Sequence, residues 1–285
     1  MEKNYRAELT GVFGDPVDGN PTGVMEEAAF AAEGLNFRYI TMRVTPDNLA
    51  DAFKGAKAIG MRGVNLTMPH KIMIIPYLDE LTEAARIIGA VNTVYEKDGR
   101  WIGENTDGKG FVTALQKAGV SLLRKRVSIL GAGGAARAIS VECALAGAAH
   151  LYVINRNEER GEELAGVIRT KTKAAADFLP WTPGIGIPED TDILIQATSV
   201  GLHPHDGEKP DIDYATITSR MAACDVVFNP VESAFLKEAK ARGALCVSGT
   251  GMLAEQGVLN FKLWTGKEAP VDVMYEQLKK EFEDA

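Results

Sequence analysis

Apolar residues in this chain fall in short β-branched and aromatic runs, set apart by glycine, proline and stretches with helical spacing. Residues 9–13 form the first run and predict a strand that ends at Gly14-Asp15-Pro16. A loop rich in glycine and proline continues to Gly23, and helical spacing follows over 24–32. Residues 37–44 predict a second strand. Pro46 stands where a first-turn proline belongs, with Thr45 as its expected N-cap, and the helix should run to about residue 59. Another short strand is expected over 63–67, and 91–96 with 101–102 predict a hairpin closed at Asp98-Gly99. Strand and helix thus alternate through the first hundred residues, which implies a mainly parallel sheet.

A helix over 106–117 should link this region to a second alternating series. There, strands are expected at 127–130, 151–154, 193–196, 225–228 and 245–247, with a loop over 180–188 and closing helices over about 252–264 and 271–283. The pattern predicts an α/β protein of two domains. Residues 1–107 plus 252–285 form an α/β substrate domain, and 108–251 form a Rossmann-type, doubly wound dinucleotide-binding domain.

The strand at 127–130 runs straight into Gly131-Ala132-Gly133-Gly134-Ala135-Ala136, and a helix follows. In that context the pattern fits a dinucleotide fingerprint. Gly131 permits the tight turn, Gly133 removes a Cβ from the path of a pyrophosphate, and Ala136 lets helix and strand pack closely. The helix N-terminus then faces the phosphates. No Gly-Lys-Ser/Thr follows, which excludes a P-loop. The next strand ends at Asn155-Arg156-Asn157-Glu158-Glu159-Arg160, without the acid that commonly binds a ribose 2′-hydroxyl at its end. Arg156 and Arg160 suit a 2′-phosphate instead. NADP is therefore favoured and NAD is the alternative, with Glu158 the residue that complicates the choice.

Composition narrows the function classes. A formal net charge of -8 argues against a nucleic-acid partner, which needs a basic face. No apolar run reaches membrane-spanning length, and the first residues carry no secretory h-region, so a cytoplasmic enzyme is expected. Cys143, Cys224 and Cys246 lie far apart and are expected as buried thiols. His203-Pro204-His205 lacks a partner cluster, and no metal site is expected.

Three polar blocks in the first region carry candidate chemistry: Asn65 to Lys71, Gly89 to Thr93, and Gly103 to Gly110. They offer Lys71, Asp107 and several amides and hydroxyls. Ketone–alcohol interconversion needs such a set, a proton donor and groups to orient hydroxyls. Singly, each has a plainer explanation; Lys71 suits an exposed lysine and Asp107 a helix cap.

Together the blocks resemble the NxTxPxK, GAxNT and GxNTDxxG motifs of the shikimate dehydrogenase family. Gln196 to Gly201, Val227 to Pro230 and Gly249 to Gln256 resemble three further stretches of it. The resemblance implies NADP(H)-dependent interconversion of 3-dehydroshikimate and shikimate. It implies Lys71 and Asp107 as the acid–base pair, and Thr67, Asn92 and Gln256 as partners of ring hydroxyls. It also implies that Gly131, Ala132, Gly133, Gly134, Ala135, Asn155, Arg156, Asn157, Arg160 and Thr198 hold the cofactor, with Val226 and Gly249 near the nicotinamide. The expected partner is a small ring hydroxy acid, bound by a monomer or homodimer.

Departures from the family gather at one end of the substrate site. Two serines that bind the substrate carboxylate in the family align with Asn20 and Thr22, a histidine with Gly19, a proline with Gly23 and a substrate-touching tyrosine with Phe228. The implied outcome is retained chemistry with a shifted substrate preference, toward quinate or another polyhydroxylated ring or acid.

Overall fold

Strand and helix alternate along the computed structural model, which describes residues 5–283. The strands are β1 Glu8–Gly14, β2 Phe37–Arg43, β3 Gly63–Leu66, β4 Glu80–Leu81, β5 Thr93–Lys97, β6 Arg100–Glu104 and β7 Arg126–Leu130. They continue with β8 His150–Asn155, β9 Ala175–Pro180, β10 Ile185–Gly186, β11 Ile193–Gln196, β12 Ile212–Asp213, β13 Ala222–Asp225 and β14 Leu245–Val247. The helices are α1 Thr22–Ala32, α2 Leu49–Ala58, α3 His70–Met73, α4 Glu83–Ile88 and α5 Thr106–Lys117. After these come α6 Gly134–Leu145, α7 Glu158–Lys171, α8 Ala234–Ala241, α9 Gly249–Thr265 and α10 Val271–Glu283.

The chain divides into two compact units. One holds the chain up to Thr106 and from Gln256 onward, and the other spans Asp107–Glu255. Seams expected at 107/108 and 251/252 therefore fall at Thr106/Asp107 and Glu255/Gln256.

In the first unit the sheet order is β2-β1-β3-β5-β6-β4. β1 lies parallel to β2 and β3, and β4 to β6, whereas β5 runs antiparallel to both β3 and β6. The sheet is mixed because Asp98 and Gly99, both at positive φ, fold β6 straight back along β5. Phe13, Leu49, Phe53, Val64 and Leu66 form its core. Gly63 has no room for a Cβ, which would sit 2.2 Å from the Trp264 indole and 2.3 Å from the Val94 carbonyl.

In the second unit the sheet order is β14-β13-β11-β7-β8-β9, and every pair is parallel. The chain winds outward from β7 through β8 and β9, then returns beside β7 with β11. This places the topological switch point between β7 and β11, where open α/β sheets bind ligands. Ile193 and Ile195 pack into one apolar cluster and Leu194 into another, as expected for strands covered on both faces.

Four local expectations change. The strand expected at 225–228 is β13, Ala222–Asp225, because its register against β11 ends at Asp225 opposite Gln196. Val226 and Phe228 thus lie beyond the strand's C-terminal end. Thr45 makes no capping bond; a 3-10 turn over Pro46–Asn48 opens that helix, and the Asn48 amide donates to the Thr45 hydroxyl. β9, which the sequence pattern did not indicate, extends the second sheet as its edge. Cys143 and Cys224 are buried, but Cys246 is half-buried. Among the described residues, no helix is long and apolar enough to cross a membrane.

Candidate active site

The second unit places a cavity of about 280 Å³ at the switch point. Of the expected cofactor residues, Ala132, Gly133, Asn155, Arg156, Asn157, Arg160 and Thr198 line it. Gly131, at φ +111, turns the chain beneath it; a Cβ there would stand 3.0 Å from the Thr198 methyl and 3.1 Å from the Ala197 carbonyl. A Cβ on Gly133 or Gly134 would meet nothing within 4 Å. Gly133 caps α6 without a side-chain hydrogen bond, so the helix's first N–H groups have no capping side chain. A loop that leaves room for atoms, next to uncapped donors and two arginines, fits a dinucleotide phosphate.

The side chains around this loop are mostly occupied in shaping it. Asn155 donates to the Asn157 carbonyl at 2.8 Å, and the Asn157 amide oxygen caps α7 by accepting from the Arg160 N–H at 2.8 Å. Buried Gln196 accepts from the Thr198 hydroxyl at 2.8 Å and donates to the Val200 carbonyl at 3.0 Å. Glu158 is not among the residues that line the cavity. Val226 and Gly249 come together: a Cβ on Gly249 would lie 2.5 Å from the carbonyl oxygens of Val226 and Val227. Asp225, behind them, accepts from Ser233 and from the Val227 N–H, and burial raises its pKa to about 6. Phe228 is half-buried on the same segment. His203 and His205 are exposed beside Asp206 and Glu208.

The first unit gathers a buried polar chain. Tyr39 donates to Asn65 at 2.9 Å, Asn65 to Thr93 at 2.8 Å, Thr93 to Asn260 at 2.6 Å, and Asn260 to Gln256 at 3.0 Å. Asn92 accepts from the Thr106 N–H at 2.7 Å and donates to its hydroxyl at 2.9 Å. Asn92 therefore fixes the first residue of α5, and Asp107 follows it directly. Lys71 sits on the one-turn helix α3. Fully buried His70 anchors that turn at 2.6 Å from the Val44 carbonyl, and the Lys71 carbonyl accepts from the Val91 N–H at 2.7 Å. Thr67 packs on Gly14, where a Cβ would fall 2.2 Å from the Thr67 methyl.

The end marked by departures from the family is polar and partly buried. Asn20 accepts from the Thr22 N–H at 3.0 Å, which leaves its amide N–H₂ as the donor end. Thr22 is buried at the start of α1. One turn on, Glu26 is fully buried with neither carboxyl oxygen hydrogen-bonded, and burial raises its pKa well above the usual carboxylate range. Arg43 is paired with Asp15 at 2.8 Å. Sequence reasoning did not single out Tyr39, Glu26 and Asn260 in this unit, nor Trp181, Ser199 and Val200 in the cavity. Ser199 and Val200 lay inside a motif already quoted; the others gave no local signal beyond a lone aromatic in a polar loop.

These features define the class of protein: a dinucleotide-dependent oxidoreductase built from two α/β units. Comparison with known proteins fixes the family. Residues 12–94 match the family model described as shikimate dehydrogenase substrate binding domain, and 249–279 match that of the shikimate 5'-dehydrogenase C-terminal domain. A shikimate dehydrogenase (NADP(+)) of Desulforamulus reducens is 44% identical, over 98% of this chain and 97% of its own. The ligand-free 5-ketofructose reductase of Gluconobacter sp. strain CHM43 superposes with a TM-score of 0.95 at 44% identity, covering 98% of this chain and 100% of that one. A shikimate 5-dehydrogenase from Listeria monocytogenes, solved with shikimate and NAD, gives 0.90 at 33% identity, covering 98% of both chains. The chain belongs to the shikimate dehydrogenase family.

Proposed function

We propose that the protein is an NADP(H)-dependent dehydrogenase interconverting a ketone and a secondary alcohol on a small polyhydroxylated molecule, with 3-dehydroshikimate and shikimate as the leading pair. The observation that carries this is a phosphate-type cavity bearing Arg156 and Arg160, in a chain related along its length to NADP-dependent shikimate dehydrogenases. NADPH, when bound, supplies hydride to the carbonyl carbon. Lys71 gives a proton to the alkoxide oxygen that forms, and regains one from solvent. Asp107 orients Lys71 and a substrate hydroxyl. Thr67, Asn92 and Gln256 hydrogen-bond the remaining hydroxyls, and Asn20 and Thr22 hold the far end of the substrate. Val226, Gly249 and Phe228 border the reacting ring. The enzyme acts as a monomer or homodimer in the cytoplasm, without nucleic acid.

A second reading, an uncharged keto sugar as substrate, is favoured by the Asn20–Thr22 end. Asn20 and Thr22 are uncharged, and Arg43 on β2 is already paired with Asp15. The relative that superposes at 0.95 is a reductase of such a sugar. The test is NADPH consumption at 340 nm with 3-dehydroshikimate, 3-dehydroquinate and 5-ketofructose, repeated with NADH. Highest kcat/KM for 3-dehydroshikimate supports the leading pair, and a preference of 100-fold or more for 5-ketofructose supports the second. No ketone-dependent consumption with any of the three, or higher kcat/KM with NADH throughout, defeats the proposal.

A further inference from the structure

Trp181 stands in the cofactor cavity and belongs to none of the motifs. It is held at two points. Its backbone N–H donates to the Asn155 carbonyl at 3.0 Å, continuing the β8–β9 pairing by one residue. Its indole N–H donates to the Asp211 carbonyl at 2.9 Å, next to β12. The Asp211 carboxylate in turn accepts from the Gly184 N–H at 3.2 Å, and β10 pairs with β12, so the loop that carries the indole is closed on itself. The ring is therefore a fixed wall. The Arg156 guanidinium lies over it, with its central carbon 5.3 Å from the ring centroid.

An exposed arginine samples many rotamers, and ordering it on binding costs affinity. A cation held against an aromatic face has lost part of that freedom beforehand. Neither Arg156 nor Arg160 forms an ion pair among the described residues, while Asn155 and Asn157 are engaged in the turn between β8 and α7. The cavity's positive charge for an anion at this turn thus rests on the two arginines, and one of them is aimed by the indole.

We propose that Trp181 is a positioning residue that sets preference for NADP(H) over NAD(H) by holding Arg156 against the ribose 2′-phosphate. This rests on the NADP reading above. A guanidinium already in place gives charge-assisted hydrogen bonds to a 2′-phosphate, and gives little to a 2′-hydroxyl.

The test is calorimetric Kd for NADPH and NADH on the full chain, for wild type, Trp181→Leu, Trp181→Phe, Arg156→Ala and the Leu/Ala double variant, with kcat and KM alongside. Trp181→Leu should weaken NADPH about 10-fold and NADH less than 2-fold, with the kinetic loss in KM rather than kcat. Trp181→Phe keeps a ring and should recover most of the NADPH affinity. Adding Trp181→Leu to Arg156→Ala should cost little more than Arg156→Ala alone, because the two act as one unit. Equal weakening of both cofactors, no change in either, or additive losses would overturn the assignment; equal weakening would make Trp181 a platform for the shared adenine or a structural residue. Wild type that binds NADH as tightly as NADPH defeats the NADP reading itself. Wild type that prefers NADPH with an unchanged ratio in Trp181→Leu defeats this inference alone.

Discussion

The two units build their sites from different parts of the chain. The cofactor unit uses backbone: a glycine at φ +111, a loop with room where Cβ atoms would stand, and a helix start without a capping side chain. The substrate unit uses buried side chains, linked from Tyr39 through Asn65, Thr93 and Asn260 to Gln256. A backbone site tolerates change in the surrounding side chains but not a Cβ in the ligand's path. A side-chain network fails when one member leaves its partners buried and unpaired. Damage to binding and damage to folding should therefore separate in the second unit and coincide in the first.

Gly133→Val should break that contrast most sharply if it fails. A Cβ there meets nothing of the protein within 4 Å, so Tm should stay within a few degrees, while NADPH Kd, read by calorimetry, should rise about 100-fold or more. Asn260→Ala is the counterpart. Removing the shared acceptor of Thr93 and Thr106 should destabilise the protein by about 2–4 kcal/mol in urea unfolding and lower kcat/KM together with stability. Normal stability with lost turnover would show that the network serves only the substrate.

Asp225→Asn sharpens the comparison with a titrating group in the cofactor unit. The folded pKa of about 6 lies above the 3.8 of an ordinary aspartate, so the folded state holds its proton to higher pH than the unfolded state. Stability that the protonated acid carries is therefore present below about pH 4 and is lost as pH rises through about 6. Relative to Asp225→Asn, wild type should lose up to about 3 kcal/mol across that window and stay level above it, as followed by urea unfolding at each pH. A constant difference from pH 4 to 8 would mean that Asp225 is ionised throughout.

The same contrast explains what was legible in sequence. The glycine loop could be read because each glycine answers a local backbone demand, and the residues after β8 because they sit at a fixed place in a βα unit. Thr67, Lys71 and Asn92 stood in short blocks at strand ends. Glu26 and Asn260 lie on helices with no sharply divided polar face; Glu26 follows Thr22 by one turn of α1, and only the fold buries it and brings Asn260 to Thr93. The run Val226-Val227-Phe228 looked like a strand because its residues favour extended backbone. Pairing assigned the strand to Ala222–Asp225, and the apolar run became the segment beyond the sheet edge. Trp181 gave no periodic signal, since its place depends on Asn155 and Asp211 from distant parts of the chain.

Reduction with Lys71 as proton donor is the central claim, and single-turnover NADPH oxidation at 340 nm tests it most directly. Wild type and Lys71→Ala would each be loaded with NADPH and mixed with the best ketone of the panel. Because the donor acts in the chemical step, Lys71→Ala should bind NADPH as tightly as wild type and oxidise it at least about 10³-fold more slowly. A Lys71→Ala rate within 10-fold of wild type, at equal cofactor occupancy, would contradict it.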